Sequence, residues 1–308
     1  MSSFTPSGPL TTPVLFLVFN RPETTARVFE AIRQARPPRL YVAADGAREG
    51  REGEAERTAD VRRIATAVDW PCEVRTLFRD RNLGCRDAVS RAITWFFENE
   101  EEGIILEDDC LPAQSFFWFC EAMLERYCDD MRIGQVSGLM RFAQQAPSDY
   151  SYFFSRFGPI WGWATWRRAW TNYDVDVAPE VQRNMPDIIE TVTFDPFERA
   201  RRLDIMQRIV ERRLDTWDYQ WGMAKYASHQ LSIIPRVNMV QNIGLDGGTH
   251  QTDSAENREL VAHELDFPLR HPPLVYPQIA YDRRFSAMTR SKTLTQRAWR
   301  RLRRLVPG

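Results

Sequence analysis

The chain carries 308 residues, 43% of them hydrophobic, with a net charge of −1, and can form one large domain or two small ones. Its early apolar run, Val14 to Phe19, is too short to span a bilayer, and no basic stretch precedes an apolar core in the manner of a secretory signal. Five cysteines without a CxxC pair argue against a disulfide framework or a zinc ribbon, so a reduced, cytoplasmic protein is expected. The charge is unevenly placed. Nine basic residues and no acid follow Asp282, which leaves 32 basic and 42 acidic side chains over residues 1–282, a net of −10. A negative body of this kind excludes nucleic acid as its partner and reserves an anionic surface for the tail.

Val14 to Phe19 predicts a first strand. The helix after it takes Asn20 as N-cap and Pro22 at N1, and sets Val28, Phe29, Ile32 and Ala35 on one face. "RLYVAADG" predicts a second strand ending in Asp45 and Gly46. Beyond the polar loop Ala47 to Gly53, a second helix aligns Val61, Ile64, Ala65 and Val68. "CEVRTLF" reads as a third strand, "NLGCRDAVSRAITWFFE" as a third helix and "GIILEDD" as a fourth strand. "QSFFWFCEAMLERYC" follows as a helix and "GQVSGLM" as a fifth strand. This alternation implies right-handed crossovers and an α/β fold, a mainly parallel central sheet flanked by helices. Ligands of such sheets bind beyond the carboxyl ends of the strands. Asn20, Arg21, Asp45, Glu107, Asp108 and Asp109 all fall at those ends.

Glu107, Asp108 and Asp109 form the sharpest signal. Three adjacent carboxylates at the end of a buried strand repel one another and are costly to desolvate. One reading is a solvated strand end in which Asp108 or Asp109 caps the next helix. The other is a site for a divalent cation and its nucleotide, since oxygen ligands suit Mg²⁺ or Mn²⁺. Four scattered histidines offer no zinc-like cluster.

"ILEDD" after a strand, preceded by strands ending in "FNRP" and "AADG", resembles the acidic metal motif of GT-A-fold glycosyltransferases. The closer likeness is to the inverting N-acetylglucosaminyltransferase I family, the more distant one to glycosyltransferase family 2. The former has a short basic element after its first strand, an aspartate after its second and a Glu-Asp-Asp triplet. The resemblance runs from about residue 12 to about residue 250 and implies a bacterial relative acting on a different acceptor. It implies that Arg21 and Asp45 hold the nucleotide base, that Glu107 and Asp108 contact the nucleoside or donor sugar, and that Asp109 binds the metal. Asn20 and Arg86 join the nucleotide-sugar set.

"FGPIWGWATWRRAW" places Trp163, Trp166 and Trp170 at core-facing helical spacing, while Gly158, Pro159 and Gly162 make the entry a loop. Trp161 is therefore freer to offer an aromatic face to sugar C–H groups, and the resembled family has a similar glycine–tryptophan loop, here Trp161–Gly162, near its donor sugar. In "LDTWDYQW", Asp215 and Asp218 are spaced as an N-cap and N3 pair. The family's Trp-Asp-Asp-Trp segment matches at Trp217 and Asp218, which implies Asp218 as general base, with Asp215 second; Tyr219 and Gln220 depart from it. "QNIGLDGGTHQTD" reads either as a hairpin turn or as a loop closing over a diphosphate. In the second case Gly248 and Thr249 meet the phosphates and His250 is a further metal ligand.

The expected organisation is a catalytic domain over residues 1–265, its nucleotide half about 12–140 and its acceptor half about 141–265. A proline-rich exit, Phe267 to Pro277, and a basic amphipathic tail complete residues 266–308, with Leu294, Ala298, Leu302 and Leu305 on one helical face. The tail either docks on the acidic body or lies on an anionic membrane surface, which would place the protein on the inner face of the cytoplasmic membrane. The function expected is a metal-dependent inverting transfer from a nucleotide-sugar, a UDP-sugar by resemblance, to a glycan or lipid-linked saccharide. The alternatives are a sugar-1-phosphate nucleotidyltransferase, disfavoured by the glycine-free "NRPETT" after the first strand, and a non-catalytic glycan-binding domain of the same fold.

Overall fold

The computed structural model describes residues 4–142, 146, 148–193, 195–244 and 260–288. Its centre is an eight-stranded sheet in the order β3-β2-β1-β4-β8-β6-β9-β7. These strands are β1 (Val14–Val18), β2 (Arg39–Ala44), β3 (Glu73–Phe78), β4 (Glu102–Glu107), β6 (Ile133–Ser137), β7 (Tyr152–Ser155), β8 (Trp163–Trp166) and β9 (Leu231–Pro235). Six of the eight point the same way; β8 and β7 run against them. The all-apolar β1 lies between β2 and β4 and is buried along its whole length, as a strand covered on both faces must be. At the β3 edge the pattern is Glu-Val-Arg-Thr-Leu-Phe, and Glu73 and Arg75 set charges on an otherwise open edge.

Alternation along β1 separates two cores. Val14, Phe16 and Val18 pack with α1 (Pro22–Ala35), α2 (Glu54–Ala65) and α4 (Ser115–Arg126) on one face. Leu15 and Leu17 pack with α3 (Gly84–Asn99), α5 (Arg167–Trp170) and α9 (Asp218–Ala227) on the other. Between α5 and α9 the short α6 (Pro179–Arg183) and α7 (Met185–Glu190) and the longer α8 (Pro196–Val210) close a small methionine-rich cluster with Met223 of α9. Outside the main sheet, β5 (Cys110–Pro112) pairs antiparallel with β10 (Val240–Asn242), with Cys110 opposite Asn242.

Three expectations change. The N-cap of α1 is Arg21, not Asn20, although Pro22 does open the helix. Trp163 and Trp166 belong to a strand, not a helical stripe. Gly162, at φ 61, turns the chain so that Trp163 pairs with Ile105 of β4, and sheet hydrogen bonds then override the helical spacing. Residues three apart on a strand face opposite ways, so Trp163 enters one core and Trp166 the other. Finally, the segment expected to leave the domain packs back onto it. Pro277 bridges Phe154, the amide of Gln278 donates to the Phe154 carbonyl at 2.8 Å, and Tyr281 on the helical stretch 279–288 is buried among Met140, Phe153 and Ile234. An edge strand such as β7 carries unpaired backbone groups and a half-covered apolar face, and this segment covers both. No helix among the described residues is long and apolar enough to cross a membrane.

Candidate active site

The parallel strands β1, β2 and β4 end on the same side, and their last residues build a charged shelf. Glu107 ends β4, Asp108 and Asp109 follow, and the chain turns at once into β5. The guanidinium of Arg21, just beyond β1, pairs with Asp108 and, at 2.9 Å, with Asp109. The Phe19 amide adds a 3.3 Å hydrogen bond to the other oxygen of Asp108. The Cys110 thiol lies 3.4 Å from the second oxygen of Asp109. Gly244 closes the shelf from the β10 side: a Cβ there would collide with Arg21 Nη1 and fall 2.6 Å from Asp109 Cβ.

Burial, reinforced by Asp109 and Asp108, pushes the Glu107 carboxyl well above the usual range, and Asp218 adds to the push while Arg21 opposes it. Asp108 is also pushed up by burial, with Arg21 pulling the other way and Asp109 adding to the rise. Burial disfavours the Arg21 charge, but its two aspartates more than offset this and hold the guanidinium above its ordinary value. The Cys85 thiol on α3 is raised by burial first and then by the negative charges of Glu107, Asp215, Asp218 and Asp45.

Asp218 is the first residue of α9 and is half-buried. The Thr216 hydroxyl donates to its Oδ1. The flanking tryptophans anchor this turn: Trp217 stacks on Trp163 with ring centroids 5.7 Å apart, and Trp221 lies 5.6 Å from the same ring. Asp215 does not form the expected capping pair with Asp218, because Trp217 is the N-cap of α9. Its carboxylate instead accepts the amides of Cys85 at 3.0 Å and Arg86 at 2.8 Å, 130 and 129 residues away, at the start of α3. Asp45 serves the same helix end. Its carboxylate accepts from Leu83 at 2.9 Å and from Gly84 at 3.2 Å, and burial raises it against these bonds. Two aspartates distant in sequence therefore satisfy the open amides of α3.

The remaining named residues fall as follows. Asn20 donates to Glu54 at 2.8 Å, and Glu54, held near 2 chiefly by Arg48, links the ends of β1 and β2. Arg86 is buried and turned toward α6, donating to the Val175 carbonyl at 2.9 Å and pairing with Asp176. In the β4–β8 register Ile105 faces Trp163, which places Gly162 beside Leu106 and brings Trp161 to the Glu107 end. Trp161 is partly buried, with the Arg141 guanidinium 5.2 Å from its ring centre. Gly248, Thr249 and His250, and the basic tail, lie outside the described residues. Glu54, Thr216 and Gln135 were not singled out in the sequence, where single polar residues in loops and strands carry no periodic signal.

Among the described residues no three His, Cys, Asp or Glu side chains converge as ligands of one ion. Oxygen donors from one or two carboxylates on an open shelf do fit a hard divalent cation that also takes phosphate oxygens.

No family model and no curated protein matches the chain. Among solved structures it is similar to HddC from Yersinia pseudotuberculosis, at 10% identity and a TM-score of 0.29, over 47% of this chain and 59% of that one. It is similar to apo UDP-glucose pyrophosphorylase at 8% identity and a TM-score of 0.35, over 75% and 93% of the two chains. It is also similar to mouse xyloside xylosyltransferase 1 in its apo form, at 10% identity and a TM-score of 0.33, over 71% and 82%. The chain thus spans 59% of the length of HddC. Likeness at these scores decides neither activity nor substrate.

Proposed function

We propose that this chain is a metal-dependent inverting glycosyltransferase of the GT-A type. It moves a sugar from a nucleotide-sugar, a UDP-sugar by the resemblance of its motifs, to a cell-surface glycan or lipid-linked saccharide. The observation that supports this reading is the meeting of Arg21, Asp108 and Asp109 at the carboxyl ends of β1 and β4. A bound Mn²⁺ or Mg²⁺, held by Asp109, would offset the charge that builds on the departing diphosphate.

The chain's own residues supply the rest. Arg21 sits beside the acids with its side chain 30% exposed, so it can turn from Asp109 toward an entering anion. Glu107, at the end of β4, offers its carboxyl group to a hydroxyl of the sugar or ribose. Thr216 fixes one oxygen of Asp218 and leaves the other to take the proton of the acceptor hydroxyl. Trp161, in the loop that enters β8, is the aromatic side chain proposed to meet the sugar, with the Arg141 guanidinium against its ring. The basic segment beyond residue 288 serves to hold the enzyme on an anionic membrane surface.

Calorimetry with UDP, with and without Mn²⁺, is the test. The wild type should bind UDP in a Mn²⁺-dependent manner and Asp109→Ala should lose that dependence. Asp218→Asn should keep the binding and lose about 10²–10⁴-fold in turnover of a nucleotide-sugar. UDP binding indifferent to Mn²⁺ and to Asp109 would falsify the reading. Sedimentation with anionic vesicles, with and without residues 289–308, tests the tail; equal binding of both forms would reject its role.

A further inference from the structure

Lys225 lies two helical turns after Asp218 on α9 and is 1% exposed. No carboxylate displaces its titration; burial alone lowers it. Its ammonium donates to Gln135 Oε1 on β6 and, at 2.8 Å, to Ser232 Oγ on β9, and it lies 5.6 Å from the ring centre of Trp221. Trp221, on the same helix, donates its indole N–H to the same Gln135 oxygen at 3.0 Å. The other end of Gln135 donates to the Pro159 carbonyl at 2.7 Å, and Ser137 Oγ donates to that carbonyl at 2.8 Å. The loop backbone rests directly on this cluster: a Cβ at Gly158 would collide with Lys225 Nζ and Ser232 Oγ and fall 2.6 Å from Gln135 Oε1. Four residues on, Gly162 accepts the Gly138 amide at 2.7 Å as the loop enters β8.

A buried cation with only neutral partners is a costly way to fill such space, and an apolar side chain of similar length fills it at less cost. What the lysine supplies is reach, with donors for two strands at once. We propose that Lys225 is a positioning residue that ties the helix carrying Asp218 to the loop carrying Trp161, through Gln135 and Pro159, so that the two flanks of the site keep one spacing. The functional meaning of that spacing rests on the transferase reading above. The tether itself is a statement about the fold.

Hydrogen exchange read by mass spectrometry separates the two. In Lys225→Met, and independently in Gln135→Leu, amides of residues 160–163 should exchange about five- to tenfold faster than in the wild type, while those of α1 stay unchanged. The double variant should loosen the loop no further than the worse single variant, because both cut one connection. A lysine that only fills the core would leave the exchange of the loop amides unchanged in Lys225→Met. Unaltered loop exchange in both single variants would overturn the tether. In the same proteins, calorimetry with UDP and Mn²⁺ tests the reading of the site. A loop that loosens in the variants, together with a wild type that does not bind UDP, keeps the tether and rejects the transferase.

Discussion

Replacing Lys225 with methionine perturbs one charge and little volume, and its effect on stability should change with pH in a defined way. The lysine titrates at about 7 in the fold against an ordinary value of 10.5, through burial alone. Each tenfold displacement corresponds to about 1.4 kcal/mol, so holding the proton inside costs about 5 kcal/mol where both folded and unfolded chains carry it. Methionine removes that cost and also removes the hydrogen bonds to Gln135 and Ser232, worth about 1 kcal/mol each. The net expectation near pH 6.5 is a variant more stable by about 2–4 kcal/mol. Between pH 7 and 10.5 the folded lysine is neutral while the unfolded one remains charged. The unfolded state then binds more protons, and the stability of the natural protein rises with pH. By pH 9 that rise reaches about 2–3 kcal/mol, and most of the variant's advantage is gone. Urea denaturation followed by tryptophan fluorescence at pH 6.5, 8 and 9 measures it, because other titrating groups cancel in the difference between the two proteins. A variant that is less stable at pH 6.5, or a difference that stays flat with pH, would refute the reasoning.

The capping role of Asp215 predicts that Asp215→Ala costs about 1 kcal/mol by urea denaturation and that Asp215→Asn, which keeps one acceptor oxygen for two amides, falls between; equal stability of all three proteins would contradict the bonds to Cys85 and Arg86. Gly244→Ala must displace either Arg21 or Asp109, so it should lose about 1–3 kcal/mol in thermal unfolding and weaken UDP binding; a silent substitution would mean the shelf is looser than its geometry implies. Tyr281→Ala opens a cavity against Phe153 and Ile234 and should cost about 3 kcal/mol. Near-native stability of that variant would mean that the stretch 279–288 adds little to the core it covers.

Much of the fold was legible because it follows from local pattern. The strand–helix alternation through Ser137 needs only apolar periodicity and punctuation, and β1, β2, β3, β4 and β6 stand where those signals put them. The tryptophan block was not legible, since Trp163, Trp166 and Trp170 satisfy a helical period and only the pairing of Trp163 with Ile105 makes a strand of the first two. The docking of the chain after Pro277 against β7 was not legible for a related reason. Prolines signal a departure from regular structure, but they carry no information about an uncovered β7 edge waiting nearby. In the candidate site, placement at strand ends was readable and pairing was not. Arg21 faces Asp108 and Asp109 across 87 and 88 residues, and Asp215 serves amides 130 and 129 residues away.

The sequence by itself therefore determined which side of the sheet collects the acids, since a parallel strand ending in Glu-Asp-Asp must deliver them to the edge where its neighbours also end. Only the tertiary structure decided how those charges are held. Arg21 offsets two of them, Asp45 and Asp215 turn to the start of α3, and Asp218 keeps one oxygen beyond its bond to Thr216. The physical reason is range. Periodicity and capping act within a few residues of chain, whereas a carboxylate takes whichever donor folding brings within about 3 Å, however distant in sequence.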